Sequence, residues 1–172
     1  MQKLIKLPFS IILFLIVFTN VANAQEERIK ALFIYNFTKY IEWPDEFKKG
    51  DFVIAILGET PIFDQLVVNS ATRKVSTQSI IVKKYLKISK VERCNMLFIT
   101  SNNSSEIKEA LAHIEGWSTL LITDFPGSTS KDFGLNFVNV NGGQTFEINT
   151  EYFDQKKLKY NSVLLKLGIK VK

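Results

Sequence analysis

The side chains able to do chemistry in this 172-residue sequence are few and scattered. His113 is the single histidine, and it falls inside a predicted helix. A hydrolytic triad would need that imidazole against an activated nucleophile, and no serine here stands in a nucleophile-elbow context. His113 is therefore expected as a surface or half-buried helix residue. Cys94 is the single cysteine. With one of each, the chain cannot supply a zinc site built on histidine and cysteine. Glu147, in Thr145-Phe146-Glu147-Ile148-Asn149, is a carboxylate in an apolar strand. It has no second carboxylate or base beside it, so a bond to neighbouring backbone or to a lysine is expected rather than acid catalysis. There is no GxGxxG, no Walker loop and no EF-hand spacing. The reading is a protein without catalytic residues, metal ligands or cofactor.

One constellation could hold a small ligand. In an open α/β sheet, ligands bind beyond the carboxyl ends of the parallel strands. Those ends carry Gly58 and Glu59, Ser101 and Asn102 after Thr100, and Asp124 after Thr123. Helix starts at Thr60 and Ser104 would add backbone donors for an anion. The competing expectation is that these polar residues only cap helices and close turns.

The elements that would position them follow from hydrophobic patterning. Arg28 to Trp43 reads as an amphipathic helix, with Ile29, Leu32, Phe33, Asn36, Phe37, Tyr40 and Ile41 on a helical period. Trp43-Pro44 ends it, because proline pushes the preceding residue out of the α region. Phe52 to Leu57, Ser79 to Lys83, Met96 to Thr100 and Leu120 to Thr123 read as strands, the first and last apolar enough to be covered on both faces. Between them, Thr60-Pro61 opens a helix over Ile62 to Val68. Ser104-Ser105-Glu106 opens another to about Ile114, stopped by Gly116. Leu135 to Val140 and Gln144 to Ile148 form a hairpin around Asn141-Gly142-Gly143, since Asn-Gly suits a turn with positive φ. Glu151 to Lys156 is a short helix, and Asn161-Ser162 caps a last one from Val163 to about Gly168. The expectation is one α/β sandwich, its mostly parallel mixed sheet flanked by helices and closed by a C-terminal β-hairpin.

The N-terminus has the layout of a secretory leader: Lys3 and Lys6, an apolar run from Ile11 to Phe18, then Val21-Ala22-Asn23-Ala24. Cleavage is expected after Ala24. The run is shorter than the roughly 20 residues of a spanning helix. Residues 1–24 are thus read as signal peptide and 25–172 as a single domain. Loss of Lys3 and Lys6 takes the net charge from +5 to +3. Basic and acidic residues are interspersed, which argues against nucleic acid as a partner. An exported chain with one thiol forms no internal disulfide, so Cys94, just before the apolar run Met96 to Ile99, is expected as a small buried hydrophobe.

Taken in order, these segments resemble the YfiR family. Ala31-Leu32-Phe33-Ile34-Tyr35-Asn36-Phe37-Thr38-Lys39-Tyr40-Ile41-Glu42-Trp43-Pro44 is similar to its opening helix signature. Ile56-Leu57-Gly58, Pro61-Ile62-Phe63, Cys94 to Ile99, Thr119 to Asp124, Phe146-Glu147-Ile148-Asn149 and Ser162 to Leu167 follow in the family's order. The resemblance implies an α/β sandwich in the periplasm that restrains an inner-membrane diguanylate cyclase through its periplasmic region, and so controls cyclic di-GMP and biofilm formation. It also implies a tendency to form homodimers. Two departures stand out. The single cysteine means that redox control by an internal disulfide does not carry over, and the glycine-rich strand before Phe146 keeps only Gly134. The alternative is a periplasmic receptor for a small-molecule ligand acting on a sensor histidine kinase or another membrane partner.

For a contact protein the expected surface is aromatic, because exposed rings bury much area at little entropy cost. The first helix supplies Tyr35, Tyr40 and Trp43, with Phe47 nearby, as candidate partner-binding residues. The competing expectation is that they are core.

Overall fold

The computed structural model describes residues 9–125 and 132–171, with side chains described from Gln25 onward. Lys3 and Lys6 of the expected leader lie outside the described residues. Helix α1 (Phe9–Tyr40) is followed by β1 (Ile41–Glu42), β2 (Phe52–Leu57), α2 (Ile62–Ser70), β3 (Lys74–Val75) and β4 (Gln78–Tyr85). Then come β5 (Met96–Ile99), α3 (Ile107–His113), β6 (Leu120–Thr123), β7 (Leu135–Val140) and β8 (Gly143–Asn149). The chain closes with α4 (Thr150–Gln155), β9 (Lys159–Tyr160), α5 (Ser162–Leu167) and β10 (Ile169–Val171).

Eight strands form one sheet in the order β10-β8-β7-β6-β5-β2-β4-β3. Strands β4, β2, β5, β6 and β7 run parallel, β8 returns antiparallel to β7, and β10 lies parallel to β8. The expected fold class is thus met, hairpin included. The hairpin turns through Asn141 (φ 52°) and Gly142 (φ 79°), and Val140 pairs with Gly143. Two consecutive positive φ values match the right-handed twist of the flanking strands, which explains the Asn-Gly dipeptide.

Alternation along the strands builds two cores. Ile54, Ile56, Met96, Phe98, Leu120 and Ile122 face α1, α2 and α5, while Ala55, Leu57, Leu97, Ile99 and Leu121 face α3. Both sides of these runs are buried, so they read as unbroken apolar segments instead of alternating ones.

Some boundaries differ from expectation. Helix α1 stops at Tyr40, three residues before Trp43, because Ile41 and Glu42 pair with Tyr160 and Lys159 as an isolated ribbon. The Tyr40 carbonyl accepts the Asn161 N–H, which takes the chain out of the helix. Asn161 then caps α5, its Oδ1 accepting the N–H groups of Val163 and Leu164 at 3.0 and 3.3 Å. Ser104 does not open an α-helix: a 3-10 segment runs over Ser101–Glu106 and α3 begins at Ile107. Among the described residues, no helix is long and apolar enough to cross a membrane.

Candidate functional site

Strand order reverses between β2 and β5, because β2 leads to β4 on one side and β5 leads to β6 on the other. A ligand crevice would open between the ends of these two strands, at Gly58 and Thr100. That space holds the Asn103 side chain. Its Oδ1 accepts the Thr100 hydroxyl at 2.9 Å and its Nδ2 donates to Glu106 at 2.7 Å. Gly58 has φ +99°, and a Cβ there would stand 2.1 Å from Asn103 Oδ1. Only glycine permits this approach and this backbone angle together.

The other expected crevice residues are dispersed. Glu59 is exposed and ion-paired with Lys84 at 2.8 Å. Ser101 and Asn102 are exposed on the 3-10 segment. Asp124 points away from them, onto Lys30. Among the described residues, five of the surface hollows, of about 310 to 580 Å³, are lined by none of Gly58, Glu59, Ser101, Asn102 or Asp124. The structure does not bring these five residues together around one crevice: beside Gly58, short polar side chains of the β5–α3 connection bond to each other and occupy the space.

A different arrangement spans the strand ends. Lys30 of α1 has only 4% of its side chain exposed, and its Nζ meets Asp124 at 2.7 Å, Glu26 at 2.8 Å and Glu27 at 3.4 Å. Glu27 in turn accepts the Thr60 hydroxyl at 2.9 Å, and Thr60 Oγ1 accepts the Ile62 N–H at the start of α2. Burial pulls the Lys30 pKa down, but hydrogen bonds to Asp124 and Glu26 and the charges of Asp124 and Glu27 outweigh it, so the ammonium is held above its ordinary value. One turn of α1 thereby ties the end of β6 to the start of α2.

Behind Asp124, Asn136 fixes the chain. It accepts the Thr123 hydroxyl and the Phe125 N–H at 2.9 and 3.0 Å, and donates to Glu147 at 2.9 Å. Glu147 therefore has a bonding role, with an asparagine as partner instead of the backbone or lysine expected. Sequence reading missed Lys30, Asn103 and Asn136, which lie far apart along the chain. The available signal was polar residues inside otherwise apolar patterns, since buried polar groups are hydrogen-bonded.

The aromatic residues of the first helix are mostly core. Tyr35, Trp43 and Phe47 are buried, and only Tyr40 is half-exposed. The Trp43 indole N–H donates to the Asn95 carbonyl at 3.0 Å, and its ring meets Phe52 edge-on at 4.8 Å. Tyr35 lies beneath the Arg73 guanidinium at 4.4 Å, and Phe47 beneath that of Arg93 at 4.0 Å. Their expected outward presentation is corrected: each ring fills a space under the sheet face that a smaller residue would leave void.

His113 is half-buried, with Nε2 donating to the Val91 carbonyl at 2.7 Å. Cys94 is buried among Leu97, Ile99 and Leu121, and burial pushes its thiol up to about 12. Both match the structural expectation.

The order of these packed segments is that of a known family, whose model, described as YfiR/HmsC-like, matches residues 27–169. The chain belongs to the YfiR/HmsC-like family. No curated protein matches it. The YfiR/HmsC-like family is one of periplasmic regulators. Its two most specific segments here, Ala31–Pro44 and Phe146–Asn149, prove to be packing partners. Phe33 and Phe37 meet Phe146 at 5.3 and 4.9 Å, edge to face.

Proposed function

We propose that this chain is a periplasmic regulator that restrains an inner-membrane signalling protein by contact, and that this protein is, by resemblance, a diguanylate cyclase. The observation that carries this reading is the YfiR/HmsC-like match over residues 27–169. The leader-like segment ending at Ala24 supports export. The dispersed strand-end residues support contact over ligand capture as the mode of action. The contact surface is sought away from Tyr35, Trp43 and Phe47, whose rings are buried. The half-exposed Tyr40 remains available to it.

The experiment is deletion of the gene, with cyclic di-GMP measured alongside capture of membrane proteins by the tagged full-length chain. The reading predicts a several-fold rise in cyclic di-GMP, reversed by the wild-type chain, and capture of a cyclase. Unchanged cyclic di-GMP with capture of a sensor kinase would move the function to the alternative partner. No change and no capture would remove the regulator reading.

A further inference from the structure

Strand β4 borders the sheet with most of its outer margin open. On its inner side it pairs with β2 from Ile80 to Tyr85, while β3 covers only Gln78 and Ser79 on the outer side. From Ile80 to Tyr85 no described strand lies outside it. The Tyr85 carbonyl accepts the Gly58 N–H, so Tyr85 faces inward. Along a strand the N–H and C=O of one residue point to the same side, and successive residues alternate. Ile80, Val82 and Lys84 therefore turn their backbone groups outward, where nothing described pairs with them. Ile81 and Leu86 leave apolar area beside this row, at 38% and 65% exposure.

The charge around the margin is one-sided. From Arg73 through Arg93 the chain carries seven basic residues, both arginines included, and a single acid, Glu92. Lys83 and Lys84 are neutralised by Glu92 and Glu59. Lys74 at one end of the margin, and Lys87 and Lys90 at the other, are exposed and form no ion pair among the described residues. Lysines on an open edge also deter self-association. Here, however, the lysines within the strand are already paired, and the unbalanced ones flank it, where the ends of an added strand would lie.

We infer that the outer edge of β4 is a docking site for an acidic extended segment of the membrane partner, which adds to the sheet as a further strand. Backbone bonds to Ile80, Val82 and Lys84 supply the affinity, and the flanking lysines select an acidic sequence. The inference rests on the contact-regulator reading.

The test uses the full chain purified from cells, titrated with a short blocked peptide alternating glutamate and valine. The same pattern with lysine, and phosphatidylglycerol vesicles, serve as comparisons. The acidic peptide is expected to bind, to weaken more than tenfold in high salt, and to slow amide exchange at Ile80, Val82 and Lys84. Val82→Pro deletes one outward N–H without taking a bond from β2, and should abolish the protection. Lys87→Glu with Lys90→Glu, both outside the sheet, should weaken binding at least tenfold with folding intact. Equal binding of the lysine peptide, protection elsewhere, or binding to vesicles alone would overturn the inference. If the wild type and the lysine-reversal variant capture the membrane partner equally, the edge assignment falls and the regulator reading stands. If no partner is captured while the peptide results hold, the regulator reading falls and the edge stands.

Discussion

The two faces of the sheet are built from different side chains. On the face covered by α1, α2 and α5, rings interlock: Phe37 meets Phe146 at 4.9 Å and 76°, and Trp43 meets Phe52 at 4.8 Å and 89°. On the face covered by α3, the filling is mostly aliphatic, with Leu97, Ile99, Ala110, Ile114 and Leu121 in one cluster with the Cys94 thiol, and Phe125 and Tyr152 as its buried rings. The aromatic face joins elements far apart in the chain, since Phe33 and Phe37 of α1 close on Phe137 and Phe146 of the hairpin. The aliphatic face is mostly local packing of a crossover helix on its own strands. The lesson is that the family signature is a folding device. Its helix and its late strand carry matching rings because each covers the other.

The largest effect that would sharpen this contrast is on stability. Phe37→Ala should cost about 3–5 kcal/mol in chemical denaturation, through lost burial and the cavity left behind. Combined with Phe146→Ala, its loss should depart from additivity by ~0.5–3 kcal/mol, whereas with Ile114→Ala across the sheet the losses should add. Additivity in both pairs would break the claim that the signature segments pack as a unit.

Next in size is the strand-end tie. Lys30→Met leaves Asp124, Glu26 and Glu27 without their cation, and a loss of roughly 1–3 kcal/mol is expected, below that of a fully buried pair because the acids are partly exposed. Since the Lys30 pKa is raised by folding, this contribution is complete below pH 10.5 and fades as pH rises through the higher folded value. An unchanged midpoint of unfolding in Lys30→Met would show that the tie contributes nothing.

The aliphatic face makes its own prediction with pH. Burial holds the Cys94 thiol at about 12 against an ordinary 9.0. The unfolded chain therefore ionises first, and stability should fall by about 1.4 kcal/mol per pH unit above 9. Burial raises the Tyr152 hydroxyl as well, so a second loss enters above 10. Cys94→Ala should delay the onset of the alkaline loss from about pH 9 to about pH 10, read by thermal unfolding across that range. The smallest effect is at the end of α1, where Tyr40 is half-exposed: Tyr40→Ala should cost under ~1 kcal/mol.

Much of this fold was legible in the sequence. Phe52 to Leu57 and Leu120 to Ile122 are apolar on every residue because both faces of the sheet are covered, and Asn141-Gly142 announces its own turn. The short strands were not legible. Ile41–Glu42, Lys159–Tyr160 and Ile169–Val171 have two or three residues each, and what makes them strands is a partner distant in the chain, while Lys74–Val75 is a two-residue arm folded back on Gln78 and Ser79. The end of α1 was misplaced for the same reason: Trp43-Pro44 limits how far a helix can run but does not show that Tyr160 claims Ile41 first. The strand-end residues were found by position alone, and position could not show that Asn103 fills the gap beside Gly58. The aromatic residues were read for their chemistry, and a buried ring and an exposed one look the same until the elements are assembled.

The most direct test of action by contact is site-specific photo-crosslinking in cells, with the reactive side chain placed in turn at Ile81, Leu86 and Asn102. The account predicts that Ile81 and Leu86 crosslink to one inner-membrane signalling protein and that Asn102, at the strand ends, does not. Crosslinking from Asn102 with none from Ile81 or Leu86, while the chain still restrains signalling, would contradict it.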